Sequence, residues 1–248
     1  MRNTRNETPL QVASANGHGS VVRVLLNKNV DIESTDASDS TPLLRAAANG
    51  HASVVGILLE KGASVESTDA SNLTPLLRAA TNGHASVVEI LLEKGANAFH
   101  DYTPLCSAVE QGSEAIINML LSSGESTETQ AGKRTPLSLA AEHGHTRSMA
   151  LLISHVVNID RKEENGMTPL TFAAKQGHVG AIKLLLDKGA DVSSRAATAK
   201  AALHFSVEGG HTAVTVALVK GGADIEAKDY RLYTALTLAA RSGDTVVV

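Results

Sequence analysis

Ser34 to Glu66 aligns without a gap to Ser67 to Phe99, and only seven of the 33 positions differ. Self-similarity at that period restricts a chain to architectures in which one small unit stacks on copies of itself. A Thr-Pro-Leu anchor starts at Thr8, Thr41, Thr74, Thr103, Thr135 and Thr168, with weaker forms at Ala201 and Thr234. The steps between anchors are 33, 33, 29, 32, 33, 33 and 33 residues. Nine residues after each anchor stands a glycine (Gly17, Gly50, Gly83, Gly112, Gly144, Gly177, Gly210, Gly243), and all six prolines occupy the second anchor position.

These residues dictate local structure. Thr41 suits a helix N-cap, and Pro42 suits the first helical turn because it has no N–H to leave unpaired. Leu43, Ala46 and Ala47 then form a packing face, and Asn49-Gly50 ends the helix, glycine tolerating a left-handed turn. A second, more apolar helix is expected from about Ala52, carrying Val54, Val55, Ile57, Leu58 and Leu59 and stopping at Gly62. The polar stretch up to the next anchor reads as a turn or hairpin. One such pair has too little interior to stand alone, so its apolar faces must be buried on neighbouring copies.

With TPLLRAAANGH at Thr41 to His51 and TPLTFAAKQGH at Thr168 to His178, the chain resembles the ankyrin-repeat family. The resemblance implies an all-α repeat solenoid of helix-turn-helix units joined by short β-hairpin connections. It implies a single domain over 1–248, with repeats at about 1–33, 34–66, 67–98, 99–127, 128–160, 161–193, 194–226 and a partial 227–248. There are departures. The family's first-helix histidine occurs only as His204, the seventh copy lacks Thr-Pro, and Val156 replaces the glycine ending a second helix. The short step from Thr74 to Thr103 predicts a missing hairpin tip after the third copy, exposing His100 and Tyr102.

Composition excludes several classes. Aromatics are 2% and Trp is absent while 43% of residues are hydrophobic, which suits thin layers of small side chains. A net charge of -4, from 22 basic and 26 acidic residues mixed along the chain, supplies no basic stripe for nucleic acid or membrane lipid. No apolar run approaches a membrane span, and no signal-peptide core follows Met1. The single cysteine, Cys106, excludes an internal disulfide. An intracellular, cytoplasmic setting is expected.

Ten histidines and the pair His143-Gly144-His145 invite a metal-site reading. However, His18, His51, His84, His145, His178 and His211 all follow the recurrent glycine, a ladder that does not converge on one ion. The resemblance makes this histidine a buried tie to neighbouring backbone. Cys106 reads as a small core thiol, and Ser, Asp and His fall on repeat positions rather than in one catalytic constellation. No catalytic, cofactor-binding or metal residue is therefore assigned. Glu33, Glu66 and Glu226, where many ankyrin repeats carry asparagine, read as solvated surface.

The expected function is protein–protein interaction. The resemblance places a partner on a concave face made of hairpin tips and first helices. Copies two and three offer small side chains there, whereas later copies are richer. The residues assigned to partner binding are His100, Tyr102, Arg134, Met167, Lys175, Lys200, Tyr230, Arg231, Tyr233 and Arg241, an aromatic and basic set suited to an acidic or amphipathic protein segment. Both ends look cut, so the chain is expected to be part of a larger signalling or recognition protein, monomeric or weakly associating end to end. The competing readings are a passive spacer rod and an enzyme domain outside the chain.

Overall fold

The computed structural model describes residues 2–4, 6–97, 103–129, 134–155, 157–163 and 165–243. It divides into two compact units, 1–125 and 126–248. The first holds α1 (Pro9–Ala15), α2 (Gly19–Leu26), α3 (Pro42–Ala48), α4 (Ala52–Glu60), α5 (Pro75–Thr81), α6 (Ala85–Glu93), α7 (Pro104–Glu110) and α8 (Glu114–Ser122). The second holds α9 (Pro136–His143), α10 (Thr146–Ile153), α11 (Pro169–Gln176), α12 (Val179–Asp187), α13 (Ala202–Glu208), α14 (Thr212–Lys220) and α15 (Ala235–Ser242). No extended strand occurs among the described residues, only an isolated bridge between Arg195 and Ala201.

The anchors act as capping devices. Thr41, Thr74, Thr103 and Thr135 each accept the backbone N–H three residues on, with proline in the first turn. Where the seventh copy has lost its threonine, the His204 ring takes over: Nδ1 accepts the Ala201 N–H at 3.2 Å, and Nε2 donates to the Tyr233 carbonyl at 3.3 Å. The first copy uses Gln11, which accepts from Thr8 N and donates to the Ser34 and Ser40 carbonyls. Thus one position, three residues after the anchor, holds a polar staple to the next copy in both units. It holds buried Leu44 and Leu77 where that staple is absent.

Within each unit, first helices pack in one row and second helices in another: α1, α3, α5 and α7 beside α2, α4, α6 and α8, then α9, α11, α13 and α15 beside α10, α12 and α14. The core is a layer of small residues, including Ala46, Ala47, Ala79, Ala80, Ala140, Ala141, Ala173 and Ala174, all fully buried, backed by Val, Leu and Ile of the second helices. Cys106 is buried among them. Alanine on the first helices lets neighbouring copies approach closely, which explains why large aromatics are not required.

Four of the six ladder histidines tie neighbouring copies together, and their rings are half-buried rather than buried. His51, His84, His178 and His211 each place Nε2 2.8–3.0 Å from the carbonyl oxygen 36 residues earlier, on Ala15, Ala48, Glu142 and Lys175 respectively. A carbonyl only accepts, so Nε2 carries the proton. Each ring also lies on the preceding copy's glycine. A Cβ added to Gly17, Gly50, Gly144 or Gly177 would sit 2.6–2.7 Å from the ring Nδ1. The same glycines have φ between 71° and 81°. His143 and His145 do not form a chelating pair: their rings stack at 5.8 Å, nearly parallel, and His143 Nδ1 donates to the Leu139 carbonyl.

Among the described residues the connections share one recurrent hairpin design. In five of them the N–H five residues before the anchor donates to the carbonyl immediately before it: Asp36 to Ser40, Asp69 to Leu73, Glu163 to Met167, Ala196 to Lys200, and Asp229 to Tyr233. The Asp36, Asp69 and Asp229 carboxylates each accept two further backbone N–H groups of their own hairpin. Adjacent tips are joined by Ala70 N to Ser38 O, Ala197 N to Asn165 O, and Tyr230 N to Thr198 O. The proposed loss of a tip after the third copy falls on residues 98–102, and the Val156 departure on residue 156, both outside the described residues.

The acidic junction residues are not merely solvated. Glu33 Oε1 accepts the Ser64 N–H at 2.7 Å and Glu66 Oε1 accepts that of Asn97 at 2.7 Å. Glu128 and Asp160 repeat the bond to Asn158 and Asp191 at 3.0 Å each. Glu33 is half-buried and Glu66 and Glu226 are exposed, so the solvated-surface reading holds, with a backbone bond added at Glu33 and Glu66. The carboxylate reaches a backbone donor in the following turn, and single-residue charge patterning does not reveal that reach.

Candidate partner-binding surface

Two positions of each copy flank its first helix: the residue just before the anchor and the residue seven after it. In the second unit they touch in three of four copies. Arg134 forms an ion pair with Glu142. Lys200 pairs with Glu208 at 2.6 Å. The Arg241 guanidinium lies 5.9 Å from the centre of the Tyr233 ring.

A second row lies beneath. Phe172 and Phe205 stand four residues after their anchors, with Arg134 4.7 Å above the first ring and Lys200 5.8 Å from the second. Neither phenylalanine was assigned a role from sequence, although the shared offset was available. In the first unit that offset carries Arg45 and Arg78, paired with the buried Asp36 and Asp69 of their own hairpins. Arg45 also reaches Glu7 of the preceding copy at 3.1 Å. Burial alone would raise the Asp36 and Asp69 carboxyls. The arginine hydrogen bonds and the hairpin N–H groups outweigh it and hold both below the ordinary carboxylate range. Ala48 and Thr81, seven after their anchors, add only small side chains to this face of the second and third copies.

Of the assigned contact residues, Lys175, Tyr230, Arg231 and Arg241 are exposed, and Arg134, Lys200 and Tyr233 half-buried. Arg231 lies 5.1 Å from the Tyr230 ring. Met167 is corrected: it is 8% exposed and packs with Phe172, Ala196 and Phe205, drawn inward by the two aromatic rings beside it. His100 and Tyr102 lie outside the described residues. Among the described residues no group of three or more His, Cys, Asp or Glu is arranged to hold a metal ion. No helix is long and apolar enough to cross a membrane.

A family model for ankyrin repeats (3 copies) matches residues 1–69, 65–131 and 123–196. The chain belongs to the ankyrin-repeat family. Among solved structures it is similar to the crystal structure of the human ASB11 ankyrin repeat domain, at 26% identity and a TM-score of 0.54, over 97% of this chain and 95% of that one. No curated protein matches it. Ankyrin repeats generally mediate protein–protein interaction, and their domains are typically non-catalytic.

Proposed function

We propose that the chain binds a protein or peptide partner along the groove face of its second unit, as part of a larger signalling or recognition protein. The supporting observation is the change of chemistry between units at equivalent positions. Arg45 and Arg78 are tied to buried aspartates in the first. In the second, Phe172 and Phe205 sit under cations, with Tyr233 beside Arg241. Aromatic rings and planar cations are the groups that most often anchor interfaces. The passive-spacer reading draws on the small side chains Ala48 and Thr81, and so on the first unit alone.

The test compares affinity capture by the intact chain, by a Tyr230→Ala/Tyr233→Ala/Arg241→Ala variant, and by a control changed on α4 at Glu60→Ala. A partner retained by the intact chain and the control but lost by the triple variant is expected. Equal retention by all three would defeat the assignment of this face.

A further inference from the structure

Resting on that reading, we infer that the partner segment is an extended acidic peptide whose two key carboxylates lie about six residues apart, with an apolar side chain between them on the same face. The inference comes from which cations of the groove are already neutralised. Arg134 of the fifth copy and Lys200 of the seventh are closed by Glu142 and Glu208 from their own copies. The intervening sixth copy presents Lys175, which is exposed and makes no ion pair among the described residues, and Met167 across from it has turned into the core. The eighth copy presents Arg241, whose guanidinium lies 5.9 Å from the centre of the Tyr233 ring and which makes no ion pair among the described residues. Open and closed cations therefore alternate.

This alternation sets a spacing. First helices α11, α13 and α15 pack in sequence, and packed helices lie about 8–10 Å apart. Lys175 and Arg241, two steps apart, are separated by roughly 20 Å on that spacing. An extended strand rises about 3.3 Å per residue, so about six residues span the gap. Side chains alternate along a strand, so residues i and i+6 face the groove together with i+2 and i+4. Between the open cations lies the seventh copy, where the half-buried Phe205 ring and the aliphatic stem of Lys200 offer apolar surface. A carboxylate opposite Lys200 would have to compete with Glu208, 2.6 Å away, so the middle of the peptide gains more from an apolar group there.

The experiment selects a displayed random 12-residue peptide library on the full chain and measures synthetic copies of the enriched sequences at low and high salt. Expected are sequences with two Asp or Glu five to seven positions apart and an apolar residue between. Because an exposed ion pair is worth up to about 1 kcal/mol, binding should weaken up to about fivefold in Lys175→Ala and in Arg241→Ala, and more in the charge reversals. Lys61→Ala, on the first unit, should change nothing. Enriched peptides that need Tyr233 but carry no such acidic pair would overturn the spacing and leave the groove reading standing. Peptides indifferent to every groove substitution, or no enrichment at all, would overturn both.

Discussion

His178 donates from Nε2 to the carbonyl oxygen of Glu142 at 2.8 Å while its Nδ1 lies where a Cβ on Gly144 would have to go, 2.6 Å away. One contact thus explains two recurrences, the glycine and the histidine of the next copy. His178→Ala should cost about 1–3 kcal/mol, because the Glu142 carbonyl loses its partner. Gly144→Ala should cost more, from the collision together with a left-handed residue at φ 71°. In the double variant the collision vanishes, so the two costs should add to less than their sum in denaturant unfolding. Strict additivity would show that ring and glycine are independent.

The same ring has a pH consequence. Burial, and then the neighbouring His143, His145 and His211, push the His178 pKa down. A histidine held below its unfolded value contributes stability that is full above about pH 6.5 and declines as pH falls. His178→Gln should therefore flatten the loss of stability just below neutrality, as read from melting temperature against pH. An unchanged slope would refute the assignment.

Glu125 shows the opposite sign. Burial raises its carboxyl to about 7, against weaker lowering by the Leu105 N–H and the Thr103 side chain, and its Oε2 is buried with no hydrogen-bond partner among the described residues. A carboxyl whose folded pKa is raised favours folding below its unfolded pKa, and that advantage is lost as pH rises through about 7. Glu125→Gln should thus be stabilising at pH 8, by roughly 1–3 kcal/mol, and near neutral in effect at pH 5. A variant less stable than the parent at pH 8 would contradict this.

Leu232 sits at φ 65° and is 74% exposed, in the hairpin position that carries Gly166 in another copy and Asn72 in a third. A left-handed leucine costs about 1–2 kcal/mol and packs on little here. Leu232→Gly or Leu232→Asn should raise the melting temperature; a fall in both would mean the side chain is held by a contact.

Much of this fold was legible because helix stops, caps and apolar faces are local properties repeated eight times. Thr41, Pro42, Gly50 and Gly62 mark α3 and α4 without tertiary information. What was hidden depends on reach between copies. Glu33 and Glu66 look like surface charges until the next turn's N–H is seen beside them. Met167 occupies a position that is half-buried in its neighbours Arg134, Lys200 and Tyr233, yet Phe172 and Phe205 fold it inward. Likewise the basic character read for the later copies is reduced, because Glu142 and Glu208 close two of its five cations.

The central claim is that a partner lies along the groove face of the second unit. Amine-reactive labelling of the partner complex, read by mass spectrometry at each lysine, tests it directly. Lys175 and Lys200 flank that face, whereas Lys61, Lys94, Lys183, Lys188 and Lys220 lie exposed on second helices or their ends. The account predicts protection of Lys175 and Lys200 on binding with the other five unchanged. Protection of Lys183, Lys188 and Lys220, with Lys175 as reactive as in the free chain, would contradict it.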